Sequence, residues 1–178
     1  MNQRRSFLKS SAVLASALSV PALAKAATAA PGERTLRLYN THTGESVRSV
    51  FWAEGQFIPD ALADINKLLR DHRNGKIAPM DPALLMLMER VSSKFGSDKV
   101  LHIISGYRSP ETNKMLAEKS GGVAKHSMHL DGKAIDIRMP GTDLKQVHKA
   151  ALATRGGGVG YYADSQFVHM DTGRVRTW

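Results

Sequence analysis

The segment that most restricts how this chain can fold is Lys133-Ala134-Ile135-Asp136-Ile137-Arg138, a strand-like run with an aspartate at its centre. Side chains alternate between the faces of a strand, so Ile135 and Ile137 point one way and Ala134, Asp136 and Arg138 the other. The isoleucine face belongs to the core. A carboxylate held beside it is costly without a partner, and a cation would supply one. A second run, Gln166-Phe167-Val168-His169-Met170-Asp171, repeats the pattern. Val168 and Met170 share the apolar face, while His169 shares the other with Phe167 and Asp171. If the two strands are neighbours, Asp136 and His169 project from one face of one sheet. His129, in the loop ahead of the first strand, can fold back over that face.

Two imidazoles and a carboxylate make a three-ligand zinc set whose fourth position is left for water. Water held there becomes acidic enough to attack a peptide carbonyl. Spacing alone leaves a second account equally open: His129 and His169 as ordinary loop and edge histidines, with Asp136 paired to Arg108 or Arg138.

The remaining elements supply a frame. Thr35–Tyr39 and Glu45–Trp52 read as a hairpin about the Thr43-Gly44 turn. Pro59 opens a helix expected to run to about Arg73, where Asn74-Gly75 stops it. Asp81-Pro82 is an N-cap with proline at the first helical position, and the helix it opens ends at Gly96. Its Met residues are core filler. Val100–Ile104 is a strand, and Ser109-Pro110 begins a helix that Gly121-Gly122 ends. Lys133–Arg138 is a strand, Thr142–Arg155 a helix, and Val159–Tyr162 with Phe167–Met170 a closing pair. The closing strands are joined too tightly for parallel crossovers, so the expected class is α+β, one domain with a mainly antiparallel sheet flanked by helices. The glycines of 156–160 lack the Lys-Ser/Thr of a phosphate loop. They are expected to cap the preceding helix and to let a strand pass close beneath substrate.

Residues 1–24 stand apart from that domain. Arg4-Arg5-Ser6-Phe7-Leu8-Lys9, the apolar stretch 12–23 and Ala22-Leu23-Ala24 form a twin-arginine signal peptide with its cleavage site. Residues 25–33 read as a flexible lead-in and 34–178 as the domain. Cleavage removes three basic residues and no acid, taking the net charge from +9 to +6. A basic exported protein suits an anionic neighbour such as cell-wall polymer, and export sets nucleic acid aside. There is no cysteine, which excludes disulfides, thiolate metal sites and a cysteine nucleophile.

The order Ser127-x-His129-x-x-Gly132-x-Ala134-x-Asp136, followed later by His169 on a strand, resembles the zinc peptidases of the D-alanyl-D-alanine carboxypeptidase and Hedgehog-like group. Ser105-Gly106-Tyr107-Arg108-Ser109 matches the same group. The stretches at 38–46, 157–162 and 167–173 look like the murein endopeptidase K branch, so the likeness spans about residues 34–178. The resemblance implies a Hedgehog/DD-peptidase type of fold and one zinc per chain on His129, Asp136 and His169. It also implies hydrolysis of peptidoglycan stem peptides or cross-links in the periplasm. Arg108 would bind a substrate carboxylate or polarise the scissile carbonyl, and Ser127 and Gln166 would line the substrate site. A monomer with no membrane span after cleavage is expected.

The sequence departs from the carboxypeptidase branch at one position. The acid that serves there as general base, three residues before the final histidine, is here Gln166, which cannot take a proton. Asp171 is the nearest carboxylate, either as base or as the group that orients His169. His126 is a weaker candidate. A metal-containing wall-binding or sensing domain without turnover is the alternative that Gln166 keeps in play.

Overall fold

The computed structural model describes residues 32–119, 124 and 126–178. The expected signal peptide, most of the expected 25–33 lead-in and the expected glycine stop at 121–122 lie outside them. Strands β1 (Arg34–Asn40) and β2 (Ser46–Ala53) pair antiparallel, with Gly44 at φ 74° in the turn between them. A short β3 (Gln56–Phe57), absent from the sequence reading, extends that edge.

Helix α1 (Pro59–Leu68) starts at its proline but stops short of the expected Arg73. Tertiary bonds compete with its last turn. The Leu69 carbonyl accepts from the Tyr107 amide at 2.8 Å, and Asp71 turns inward to accept from the Ser109 amide at 3.0 Å and its hydroxyl at 2.7 Å. Helix α2 (Pro82–Ser93) begins as expected, with the Asp81 carboxylate accepting from the Ala83 amide at 2.9 Å. Then follow β4 (Leu101–Ser105), α3 (Pro110–Lys119), a 3-10 turn (Met128–Asp131) and β5 (Ala134–Arg138). The chain continues through α4 (Leu144–Thr154), β6 (Gly158–Tyr162), β7 (Phe167–Asp171) and β8 (Arg176–Thr177). It is Arg155, at φ 50°, that turns the chain out of α4, so the glycines that follow are free for another purpose.

The described strands form one sheet in the order β3-β2-β1-β4-β5-β7-β6-β8. It is mainly antiparallel, as expected, with parallel pairings only at β1–β4 and β6–β8. Helix α1 packs on β2, α2 on β1, and α4 on β6 and β7. Between these helices and one face of the sheet lies the core, where Leu36, Leu38, Phe51, Ile103, Ile135, Ile137, Val168 and Met170 meet Ile65, Leu84, Met88 and Val147. Alternation then sends Asp136, His169 and Tyr162 to the opposite face, which the three helices leave uncovered. The single α+β domain read from the sequence is the fold observed.

Candidate metal centre

Strands β5 and β7 pair with Asp136 directly opposite His169. Both side chains therefore rise from the same face, side by side. His129 reaches them from the 3-10 turn. The Ser127 hydroxyl caps that turn by accepting from the His129 amide at 3.4 Å, and Gly132 closes it at φ 66°. A Cβ at Gly132 would run into the Pro79 carbonyl, so this position needs glycine for space as well as for its dihedral. Ligand atoms of His129, Asp136 and His169 all lie within 4.8 Å of one another. The convergence expected from the sequence is present.

Nδ1 of His169 is 2.8 Å from one Asp136 oxygen, and Nε2 of His129 is 3.4 Å from the other. The outward nitrogens are held as well: His129 Nδ1 donates to the Gly106 carbonyl at 2.7 Å, and His169 Nε2 donates to Asp171 at 3.2 Å. With the outer nitrogens occupied, the inner nitrogen of each imidazole faces the carboxylate, and once free of a proton it offers a lone pair to a cation. Three acceptors facing one another repel unless a proton or a cation sits among them. Burial opposes a charge on His169, yet the bonds to Asp136 and Asp171 prevail and raise its imidazole to about 8. Burial also opposes the charge on Asp136, and the two histidines outweigh it, keeping that carboxyl well below its ordinary range. The donor set, its convergence and its outer hydrogen bonds fit a metal ion.

Asp171 is fully committed. Its carboxylate takes two bonds from Arg176, at 2.7 and 3.1 Å, and the amides of Gly158 and Gly173 at 3.0 and 2.8 Å. Burial works against its charge, but His169, Arg176 and these amides hold the carboxyl well below the usual carboxylate range. These bonds hold the Asp171 carboxylate in place beside His169.

Arg108 lines the pocket with the triad. Its amide donates to the His129 carbonyl at 3.1 Å, which ties its loop to the 3-10 turn. Burial lowers the guanidinium from its ordinary value while Asp136 raises it, and among the described residues Nε has no hydrogen-bond partner. Ser127 and the exposed His126 line the same pocket. Gln166 does not. It sits in the β6–β7 turn at φ 55°, its amide bonded to the Ala163 carbonyl, and faces a separate groove with His102 and Arg138. Apart from Asp136, no carboxylate among the described residues lines the triad pocket.

The family model for peptidoglycan L,D-endopeptidase MepK matches residues 28–178. The chain belongs to this family. The MepK of Escherichia coli strain K12 is 43% identical over 175 residues, which cover 98% of this chain and 96% of that protein. The probable MepK of Haemophilus influenzae is 42% identical over 149 residues, covering 83% of this chain and 80% of that protein. In this MepK-family chain, several groups at the site went unread in the sequence: Arg176, Trp178, Tyr162, the Gly106 carbonyl and Asp71. Only the glycine run pointed to any of them. A Cβ on Gly157 would strike the backbone of Asp171, and one on Gly160 would meet the Trp178 ring at 2.7–2.9 Å. The run lets β6 lie against Asp171 and leaves room for an indole.

Proposed function

We propose that this protein is a zinc-dependent peptidoglycan endopeptidase that cuts an L,D peptide bond in cross-linked stem peptides, with the metal held by His129, Asp136 and His169. The observation that carries it is the convergence of one ligand atom from each of His129, Asp136 and His169 in a chain of the MepK family. Bound zinc supplies Lewis acidity, polarising the scissile carbonyl and acidifying water. Gly106 and Asp171 keep both histidines in the tautomer that presents a lone pair to the metal. Arg108 is placed to hold a substrate carboxylate or to stabilise the oxyanion as it develops. Ser127 supports His129 and borders the substrate path.

The three ligands converge within one chain, so the centre does not need a second copy to be complete. No helix among the described residues is long and apolar enough to cross a membrane. A peptidoglycan substrate fits action in the periplasm, and Arg4-Arg5 favours delivery by the twin-arginine route. Changing both to Lys is expected to hold the precursor in the cytoplasm. Normal export of that variant would point to the general secretory route.

Purified protein should carry about one zinc per chain and release cleaved cross-links from intact sacculi, with chelation removing both metal and activity. A zinc-loaded, folded protein that binds sacculi and leaves every cross-link intact would instead mark a wall-binding or sensing domain.

A further inference from the structure

Beside the triad, on the uncovered face of the sheet, lies an aromatic surface that the metal chemistry does not use. Strand β8 adds to β6 in parallel, and its pairing carries over to Trp178, whose amide donates to the Val159 carbonyl at 3.3 Å and whose carbonyl accepts from the Tyr161 amide at 3.0 Å. The indole is thereby laid over Gly160, the residue opposite His169. Its ring centre is 5.3 Å from that of His169. Two neighbours fix its tilt, and a third holds one of them. Nε1 donates to the Tyr162 hydroxyl at 2.8 Å, the Arg176 guanidinium lies 4.8 Å from the ring centre, and Tyr162 is itself stacked on Phe167 at 4.5 Å. An aromatic side chain so thoroughly held would ordinarily be buried, yet Trp178 is 48% exposed and Tyr162 38%, and both line the pocket. Arg108 lines the same pocket and brings a cationic group to it.

A pocket that offers an exposed aromatic surface and, at Arg108, a guanidinium suits a ligand that carries both an apolar chain and a carboxylate. A peptidoglycan cross-link runs through the side-chain amine of a diamino acid, so methylenes and a free carboxylate stand close to the bond to be cut. We propose that Trp178 is a specificity-determining residue of this site: with Tyr162 it forms the wall on which the methylene chain of the cross-bridging diamino acid packs. This inference rests on the endopeptidase reading above. It assigns the apolar part of the substrate to one wall and its carboxylate to Arg108.

The test compares two substrates. One is a cross-linked muropeptide; the other is an L,D-linked dipeptide with alanine in place of the diamino acid, measured as a competitive inhibitor where turnover is too slow. Trp178→Ala should lower kcat/KM on the muropeptide by about ten- to sixtyfold, mostly through KM, since fully burying each of about three methylenes is worth a factor of about four. The alanine compound should lose less than about threefold, because it has no chain to bury. Trp178→Phe should recover much of the loss. Gly160→Ala, which pushes the indole off its seat, should reproduce the selective loss without removing the ring. Zinc affinity, by chelator competition, should stay within about threefold in every variant, well short of the change expected on losing a partner of a metal ligand. As a binding readout, zinc-free Trp52→Phe protein, whose remaining tryptophan is Trp178, should change its emission when the muropeptide is added. Equal losses on both substrates, or weakened zinc binding alongside, would make Trp178 a prop for His169 and overturn the inference. So would an unaffected Trp178→Ala enzyme or a silent emission titration. A zinc-loaded wild type that cleaves no cross-link would count against the endopeptidase reading, while the emission titration still judges Trp178.

Discussion

Asp171 is clamped between His169 and Arg176: one of its oxygens lies 3.2 Å from the imidazole Nε2 and 2.7 Å from the guanidinium. The imidazole's orientation is therefore set by a residue outside the triad. Asp171→Ala is expected to weaken zinc binding by about 10–100-fold, and excess zinc should restore much of the rate. Titration against a competing chelator, with rates followed across zinc concentrations, checks both halves. A folded, zinc-replete and inactive variant would instead make Asp171 the proton acceptor.

Asp71 governs the loop that carries Arg108. It is buried and accepts from the amide and hydroxyl of Ser109 and from the Arg73 amide at 3.1 Å. Asp71→Ala strands these donors and should cost about 1–3 kcal/mol of stability. Activity should fall further than stability alone accounts for, because Arg108 loses its anchor. A double-mutant cycle with Ser109→Ala, read by denaturant unfolding, should show coupling of about 1 kcal/mol or more.

Removing Arg108 itself should leave the metal in place. Arg108→Ala is expected to lower kcat by about 10²–10³-fold if it meets the developing oxyanion. Zinc content should be unchanged. Lys should rescue poorly, since an ammonium cannot reproduce the forked guanidinium. Steady-state kinetics on purified muropeptides separates a kcat effect from a KM effect, and a pure KM effect would assign Arg108 to carboxylate binding.

Gln166 is expected to be dispensable. It faces away from the triad, and its left-handed backbone is a conformation glycine adopts without strain. Gln166→Gly should keep activity within about twofold and match or exceed wild-type stability by up to about 1 kcal/mol. Thermal unfolding and turnover of the same preparation settle it. A dead Gln166→Gly enzyme would return this residue to the reaction.

A histidine pair supplies a pH signature. His72 stacks on His42 with ring centres 3.8 Å apart and 8° between planes. Burial first, then His42 and Arg73, lower the His72 imidazole from 6.5 to about 4, with Asp71 pulling the other way. A histidine whose folded value is depressed binds its proton more readily when unfolded. Its contribution is thus intact above about pH 6.5 and lost as pH falls towards 4. His72→Phe keeps the ring and removes the proton, so the difference in stability between variant and wild type should widen over that window. Melting curves from pH 7 to 4 that stay parallel would contradict it.

Local pattern determined a good deal here. Alternation by itself sorted Ile135 and Ile137 from Asp136, and Val168 and Met170 from His169, because which face a side chain takes depends only on its own strand. Proline and aspartate placed the start of α2 for equally local reasons. That Asp136 and His169 are direct neighbours followed only once β5 and β7 were paired in one register. That α1 ends at Leu68 follows from Leu69 and Asp71 bonding to a loop far along the chain. The grip on Asp171 hung on Arg176, inside a two-residue strand that has no periodicity to recognise, and the aromatic wall on Trp178, the residue that follows it. A strand that short takes its place from the edge it joins, through backbone bonds and a glycine that leaves room for an indole. Residues 134–138 and 167–171 carried their own instructions, whereas residues 176–178 acquired theirs only against β6.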